Sequence, residues 1–329
     1  MFNSTYESYK AALSHSSYPI AFIDNKIFEA NIEALIKNAE SKSIRLATKS
    51  IRSTQILKKI FAYSPKVNGL MSYSLKESLW LLEQGFKDIL LGYPCFNKTE
   101  LEEFCQHESA NQHITLMVDC SDHLALLDTL AQKYNKQIRI CLDIDMSIYP
   151  FFLIYFGVYR SPIKHLYQFK KIINQISKYE SLRLVGLMGY EAQNAGVGDF
   201  AYSGIKGKIV RFLKRLSQKK VFAKRLRFLK YIKHKNIKLE FFNGGGTGSI
   251  HTTSLDNAVT EITLGSGFYS PSLFDTFDQL PCKPSLFFAT QVVRKPSAKI
   301  ATCFSGGYIA SGETGINKNP IPVLPSGLK

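Results

Sequence analysis

Short apolar runs alternate with longer segments of helical periodicity along most of the chain. This alternation predicts parallel strands joined by crossover helices. Helical segments such as Ser74–Gln84 and Lys98–Gln106 separate the runs. Eight candidate strands can be counted: Arg45–Thr48, Asn68–Ser72, Ile89–Gly92, Thr115–Val118, Ile138–Asp143, Leu184–Met188, Leu239–Phe242 and Ile262–Leu264. Eight such units over about 240 residues match the usual size of a (β/α)8 TIM barrel, which is the α/β fold that we predict.

Regions outside the barrel are expected at both ends. Tyr18–Ile23 looks like an extra strand, and Asp24 can cap the helix that follows it. After about Phe274, short strands such as Phe287–Val293 and Ala298–Cys303 are separated by glycine and proline turns. We therefore predict an N-terminal strand region (1–25) that packs with the β domain, a barrel (26–275) and a partial β domain (276–329). We expect the last to be truncated, because a free-standing β domain usually needs more strands.

Composition narrows the classes of function. No apolar stretch reaches the roughly 20 residues of a membrane helix, and the N-terminus lacks the apolar core of a secretory signal. We expect a cytoplasmic protein without a membrane partner. The six cysteines include no C-x-x-C pair, which indicates free thiols in a reducing compartment. The seven histidines include no H-x-x-x-H pair, so we predict no metal ligands in this chain.

The net charge of +16 is concentrated in one segment. Lys206–Lys238 carries 14 Lys or Arg and no Asp or Glu. Its apolar residues recur at helical spacing: Ile209, Leu213, Leu216, Phe222, Leu226 and Leu229. A basic amphipathic helix can bind nucleic acid or an anionic membrane. Because no base-reading motif accompanies the charge, we favour an outer barrel helix with a solvated basic face, and no nucleic-acid partner.

The two most glycine-rich loops follow the seventh and eighth predicted strands. They are Asn243–Ser249 and Gly265–Tyr269. Phosphate often binds after these two strands of a barrel, and glycines let backbone N–H groups approach an anion closely. Either loop alone could be a tight turn, but two at these places predict a phosphate site. Its candidate residues are Gly246, Thr247, Gly248, Gly265, Ser266 and Tyr269, whose phenol could reach a phosphate oxygen.

Lys49 ends the first predicted strand. A lysine at this place points into the barrel mouth, where burial would lower its pKa and make the amine nucleophilic. A lone lysine at a strand end is usually a surface residue. Facing two phosphate loops, Lys49 suggests a Schiff base with a phosphorylated aldehyde, for which pyridoxal 5′-phosphate (PLP) is the obvious candidate.

Three further residues follow predicted strands at the same end of the barrel. Tyr190 could pack against a cofactor ring or hydrogen-bond its polar groups. Glu191 is ionisable, but it could equally be a structural or surface carboxylate. Arg160 could hold a pyridine nitrogen unprotonated, which would weaken the electron sink; the alternative is a surface or structural arginine.

At this point the chain resembles a known group of enzymes, the PLP enzymes of the alanine racemase barrel type (fold type III). The likeness is closer to the D-threonine aldolase and D-serine dehydratase branch, with its amino acid deaminases. The matching stretches are Asp24–Asn31, Ala47–Lys49, Gly69–Tyr73, Gly186–Glu191, Asn243–Ser249 and Gly265–Gly267. The resemblance implies an internal aldimine on Lys49, cofactor contact by Tyr190, and phosphate binding by Thr247, Gly248, Gly265 and Ser266. It also implies a homodimer in which the β domain of the partner completes each site.

The sequence departs from this family's pattern in two places. Ala192 and Gln193 replace a glycine and a histidine, and glutamine cannot act as an acid or base. The family also allows a divalent metal on a His-x-Cys or similar pair near the C-terminus, and no such pair occurs in this chain. A metal-assisted step on a substrate hydroxyl therefore has no identified ligands.

The resemblance leads to three functional hypotheses. The first is a PLP-dependent lyase that acts on D-amino acids with a β-hydroxyl, such as D-threonine or D-serine, through Lys49. The second is an amino acid racemase or epimerase, which needs a second base; Tyr308 is the only tyrosine after residue 275 and a weak candidate. The third is a non-catalytic PLP-binding protein or a truncated relic.

Overall fold

A closed barrel of eight parallel strands forms the centre of the molecule. We describe it from a computed structural model that covers residues 6–150, 155–305 and 321–327. The strands, in their order around the barrel, are β2 (Ser43–Ala47), β3 (Val67–Ser72), β4 (Ile89–Leu91), β5 (Ile114–Val118), β6 (Ile138–Asp143), β7 (Leu182–Gly189), β8 (Phe241–Gly244) and β9 (Glu261–Leu264). β9 pairs with β2 and closes the barrel. The predicted (β/α)8 TIM barrel is confirmed.

Helices connect and surround these strands. They are α2 (Asn25–Asn38), α3 (Thr48–Ile51), α4 (Thr54–Phe61), α5 (Leu75–Glu83), α6 (Lys98–Gln106), α7 (Ala110–His113), α8 (Ser121–Lys133), α9 (Leu166–Ile176), α10 (Ala192–Ala195), α11 (Gly204–His234) and α12 (Ile250–Thr253), with α1 (Tyr6–Ala12) before them. The predicted cap of α2 is confirmed, because Asp24 Oδ1 accepts from the amides of Lys26 and Ile27 at 3.0 and 3.1 Å.

The predicted strand ends lie within two residues of the observed ones, and several coincide with them. The first strand ends at Ala47 rather than Thr48, because Thr48 begins α3 and its Oγ1 donates to the carbonyl of Met71 at 3.2 Å. Lys49 therefore lies in a helical turn just after β2, not at the strand end itself. The seventh strand begins at Phe241 and runs to Gly244, later than the predicted Leu239–Phe242.

The barrel interior shows which side chains face the mouth. Met117 of β5 and Cys141 of β6 belong to one buried cluster with Leu90, Met188 and Phe241. Successive side chains of a strand point to opposite sides. The positions two residues beyond Met117, Cys141 and Met188 are therefore directed to the same side, at the upper end of the barrel. These positions are Asp119, Asp143 and Tyr190.

The lower barrel contains a fully paired arginine. Arg45 of β2 donates to Glu261 at 2.7 and 2.9 Å and to the carboxylate of Asp88 at 3.1 and 3.2 Å. It also donates to the carbonyls of Leu70 and Asp88. Burial alone would lower the pKa of Arg45, but the two carboxylates raise it above its usual value. This network closes the barrel at the amino ends of its strands.

Short antiparallel strands flank the barrel. β1 (Ile20–Ile23) pairs with β10 (Leu286–Ala289), and β11 (Val292–Ser297) pairs with β12 (Ile300–Cys303). The predicted strand Phe287–Val293 is thus divided between β10 and β11. β10 ends where β1 begins, just after Pro19, which has no N–H to donate. Tyr308 lies outside the described residues, and the boundaries at 25 and 275 stay predictions.

The basic segment forms α11, whose buried face coincides with the predicted apolar face only in part. Val221, Phe228 and Ile232 are buried, whereas Ile209 and Leu226 are exposed. Lys214 and Arg225 are also buried, so part of the positive charge is not on a solvated face. Most Lys and Arg side chains of the segment are exposed, as expected for an outer helix with a solvated basic face, whereas Lys214 and Arg225 pair with carboxylates. Among the described residues, no helix has the length and apolar character needed to span a membrane.

Candidate active site at the barrel mouth

Lys49 lies among aromatic rings at the upper end of the barrel. Its Nζ is 5.5 Å from the ring centroid of Tyr73 and 5.9 Å from that of Tyr93, within the range of cation–π attraction. The two rings meet edge to face at 5.5 Å. Lys49 itself is exposed. The expectation that this chain buries the lysine is therefore wrong: α3 carries the side chain out of the barrel interior.

Arg160 lies on the other side of Tyr93. Its Cζ is 5.6 Å from the ring centroids of both Tyr93 and Tyr190. Its Nε donates to Asp143 Oδ2 at 2.8 Å, and its Nη2 donates to the carbonyl of Gly92 at 3.2 Å. These contacts hold the guanidinium at the barrel mouth and exclude a freely solvated surface arginine.

Asp143 is a buried acid with one oxygen unused. Burial raises its pKa to about 6; Arg160 opposes this shift and the charge of Asp119 adds to it. Oδ2 accepts from Arg160, but Oδ1 is buried and has no hydrogen-bond partner among the described residues. Such an unsatisfied acceptor is costly. It therefore marks a place where the protein alone does not complete its hydrogen bonds.

Tyr190 follows β7 and is half-buried. Burial raises the pKa of its phenol to about 12, with a contribution from Glu191 and opposition from Arg160. A Cβ added to Gly246 would lie 3.3 Å from the Tyr190 ring, so the ring packs against the first glycine loop. Tyr190 thus connects Arg160 with that loop as a neutral aromatic surface.

Glu191 holds the first glycine loop from beneath. It accepts from the amide of Gly245 at 3.0 Å and from Ser249 Oγ at 2.8 Å, and it pairs with the buried Arg225 of α11. Burial would raise the pKa of Glu191, but Arg225 and the hydroxyls outweigh it and hold the pKa below its usual value. The structural alternative considered for Glu191 is therefore the one that the geometry supports, and the surface alternative is wrong.

The two glycine loops touch each other. Thr247 Oγ1 accepts from the amide of Gly267 at 3.1 Å, and a Cβ on Gly267 would lie 2.3 Å from Thr247 Cγ2. Within the described part of the chain, the amides of Thr247, Gly248 and Ser266 have no acceptor. Backbone amides of this kind are the usual donors to a bound phosphate.

The second glycine loop lies beside the segment that carries Lys49. A Cβ added to Gly265 would be 2.9 Å from the Cβ of Ala47 and 3.0 Å from that of Ser50. Only a glycine allows this approach without a shift of neighbouring atoms. The structure therefore brings Gly246, Thr247, Gly248, Gly265 and Ser266 together at the end of the barrel where α3 carries Lys49.

Tyr269 has a different partner from the predicted phosphate. Its phenol donates to the carbonyl of Ile51 at 2.9 Å, and its ring lies 5.8 Å from that of Phe28. Ile51 is the last residue of α3. Tyr269 thus supports the short helix of Lys49, and its only hydroxyl hydrogen is used in doing so.

Several mouth residues were not singled out from the sequence. Tyr73 and Tyr93 follow β3 and β4, and Asp143 ends β6, where the alternation of strand side chains would have indicated an inward acid. Gln193, which the sequence marked only as a departure from the family's pattern, is buried and donates to the carbonyl of Met146 and to Ser217. Asp119, Cys120 and His123 form a group of metal-type donors after β5, with none of the spacings considered above.

Comparison with known proteins supports the architecture. The family model "Alanine racemase, N-terminal domain" matches residues 23–272. Comparison with curated proteins finds no match. Among solved structures, D-threonine aldolase from Filomicrobium marinum is 15% identical, with a TM-score of 0.74 over 88% of this chain and 73% of that one.

Two other solved structures extend this comparison. D-threo-3-hydroxyaspartate dehydratase from Delftia sp. HT23 is 15% identical, with a TM-score of 0.69 over 87% of this chain and 70% of that one. Alanine racemase from Clostridium difficile 630, in complex with cycloserine, is 15% identical, with a TM-score of 0.61 over 88% and 72%. At these identities the likeness shows the fold.

Proposed function

Because the chain belongs to the family of the alanine racemase N-terminal domain, we propose that it binds PLP at the barrel mouth through the amine of Lys49. One arrangement carries this proposal: Lys49 Nζ and Arg160 Cζ lie 5.9 and 5.6 Å from the ring centroid of Tyr93. The two glycine loops, which contact each other and present amides without an acceptor in the described structure, lie at the same end of the barrel. PLP has an aldehyde that a lysine amine binds, a phosphate and a ring nitrogen. When bound, PLP withdraws electrons from the Cα of an attached amino acid.

Each part of PLP has a matching group in this chain. The amides of Thr247, Gly248 and Ser266, with the close approach at Gly246 and Gly265, fit the phosphate. Arg160 would lie against the ring nitrogen and, as a fixed cation, keep it unprotonated. Asp143 orients Arg160 for this role. Tyr190 offers its neutral ring to the face of the cofactor.

We propose a lyase reaction on a D-amino acid with a β-hydroxyl as the leading function. Two solved neighbours support it by name: D-threonine aldolase and D-threo-3-hydroxyaspartate dehydratase. Lys49 would hold the cofactor and would also serve as a base towards the bound substrate. A divalent metal is compatible with this reaction class.

A racemase or epimerase is the second candidate, supported by the alanine racemase neighbour. It needs a second base on the opposite face of the substrate. We also propose a homodimer that covers the mouth. The exposure of Lys49, and of Tyr73 at 55%, fits a surface that another chain completes.

The binding claim is tested by reconstitution of the purified protein with PLP. We expect a visible absorption band that borohydride abolishes, and we expect Lys49→Ala to remove it. Lys58→Ala, an exposed lysine nine residues further along the chain, is the matched control and should leave the band unchanged. A Lys49→Ala protein that retains the band would overturn the proposal.

The reaction is tested separately on protein that shows the band. With a divalent metal supplied, D-threonine should yield glycine and acetaldehyde, or D-serine should yield pyruvate and ammonia. Deuterium exchange at Cα with loss of optical activity would instead identify a racemase. A normal band without any of these products would support the third hypothesis, a PLP-binding protein without turnover, and would contradict the lyase.

A further inference from the structure

A second group of reactive side chains lies at the upper end of β5. Asp119, Cys120 and His123 each present one ligand-type atom, and these atoms lie within 4.8 Å of one another. His123 is buried, whereas Asp119 and Cys120 are half-buried and open to solvent. A carboxylate, a thiol and an imidazole converge here, and the PLP proposal uses none of them.

The contacts of His123 leave a conflict that a cation would resolve. Its Nδ1 accepts from the backbone amide of Asp119 at 3.2 Å and also lies 3.0 Å from Asp119 Oδ1. A neutral imidazole nitrogen cannot accept in one contact and donate in the other. If it accepts, this electron-rich nitrogen lies 3.0 Å from a carboxylate oxygen and the two repel each other. A cation held by both atoms turns that repulsion into attraction.

The unused oxygen of Asp143 is a second observation at the same place. The pairing of Val118 with Leu142 places Asp119 beside Asp143 on the neighbouring strand. Both side chains are directed to the same side by strand alternation. Oδ1 of Asp143, in a residue that is 2% exposed, has no partner in the described structure. An acceptor without a donor thus lies next to the group.

We propose that Asp119, Cys120 and His123 bind one divalent transition-metal ion of the zinc class, with a fourth position open towards the mouth. Thiolate, imidazole and carboxylate are the donors that zinc takes, and three protein ligands with an open position are typical of reactive zinc sites. A water molecule in the open position would donate to Asp143 Oδ1. The site does not depend on PLP binding.

The three ligand atoms have to move only slightly closer together to bind the ion. Tetrahedral zinc with bonds of about 2.0 to 2.3 Å separates its ligand atoms by roughly 3.3 to 3.6 Å. The ligand atoms that are furthest apart, at up to 4.8 Å, therefore have to approach each other by roughly 1.2 to 1.5 Å. Cys120 forms no side-chain capping bond at the start of α8, so its thiol is able to rotate.

A plain helix-capping contact between Asp119 and His123 is the competing explanation. It gives Cys120 no role, so Cys120→Ser distinguishes the two. The untagged full chain is stripped with a chelator and titrated with Co²⁺, and zinc content is measured after gel filtration. We expect one zinc per chain, and a thiolate–cobalt charge-transfer band that Cys120→Ser removes while weakening metal affinity at least ten-fold.

Two controls keep the test decisive. Cys303→Ser, an exposed cysteine elsewhere in the chain, should bind metal like the parent protein. Lys49→Ala should also bind metal normally, which separates this site from the PLP proposal. Circular dichroism verifies the fold of each variant. Absence of stoichiometric metal, or a folded Cys120→Ser protein with unchanged affinity and band, would overturn the inference.

Discussion

Each end of the barrel holds an arginine that pairs with a carboxylate, but in the part of the chain that the structure describes, only the lower end completes the hydrogen bonds of its pair. Arg45 is paired with Glu261 and Asp88 and also reaches two carbonyls. Among the described residues, Arg160 has one carboxylate partner, Asp143, and the second oxygen of Asp143 accepts no hydrogen bond. A buried polar group without a hydrogen-bond partner destabilises the folded protein and so lowers its free energy of unfolding. The lower end therefore serves stability, whereas the upper end keeps unpaired groups where we propose that ligands bind.

The amides of the glycine loops continue this contrast. Thr247, Gly248 and Ser266 present donors at the mouth, while Asp143 presents an acceptor on another side of it. Selection for stability alone would favour a hydrogen-bond partner for each of these groups. Glu191 is such a partner on the inner side of the first loop, where it accepts from the Gly245 amide and Ser249 Oγ. Hydrogen-bonding groups without a partner in the protein are expected at sites where a protein binds a ligand or catalyses a reaction.

The largest expected effect on the free energy of unfolding follows from replacing Arg45, the arginine at the lower end of the barrel. Arg45→Met leaves Glu261 buried with an unpaired charge, which costs about 3–5 kcal/mol of the free energy of unfolding. Arg160→Met should cost about 1 kcal/mol, because Asp143, with a pKa near 6, takes up a proton readily. Urea denaturation at neutral pH measures both. Equal losses for the two variants would remove the distinction between the two ends.

The barrel was predictable because its signals are local. Each strand is a short apolar run between helical segments, and the barrel rule then places Lys49, Tyr190 and the glycine loops at one end. The end of the first strand was missed because the hydrogen bond from Thr48 to Met71 joins the start of α3 to the neighbouring strand β3. Local patterns do not contain such contacts.

Parts of the site depend on contacts between distant segments. The pair of Glu191 with Arg225 joins β7 to the basic helix, and the bond from Tyr269 to Ile51 spans 218 positions. Neither could be deduced from residue type alone. Asp143 was within reach, since alternation along β6 from Cys141 directs it inward.

The second prediction concerns the pH dependence of stability through Asp143. Its pKa in the folded protein is about 6, above the ordinary value of 3.8. Between these values the native state holds more protons than the unfolded state, so stability falls as pH rises. The fall should be on the order of 2–3 kcal/mol. Asp143→Asn should flatten the curve between about pH 4 and pH 6.

Urea denaturation at several pH values measures that slope. Asp122→Asn, an exposed acid, is the control and should keep the slope of the parent protein. If Asp143→Asn has the same slope as the parent protein, then Asp143 is not the source of the pH dependence, and this difference in energy between the two ends of the barrel is removed.

The smallest effect is expected for a substitution of Tyr269. This substitution tests whether the phenol stabilises the fold or binds the cofactor. Its phenol donates to Ile51 at the end of the helix that carries Lys49. Tyr269→Phe should cost about 1 kcal/mol of the free energy of unfolding and change PLP affinity by less than about three-fold. Ser266→Ala, in contrast, should weaken PLP binding by about ten-fold, because it removes a hydroxyl beside the phosphate site. A titration with PLP followed by absorbance compares them. A larger affinity loss for Tyr269→Phe than for Ser266→Ala would assign the phenol to the phosphate, as the sequence predicts, and would place Tyr269 among the binding groups of the mouth rather than its supports.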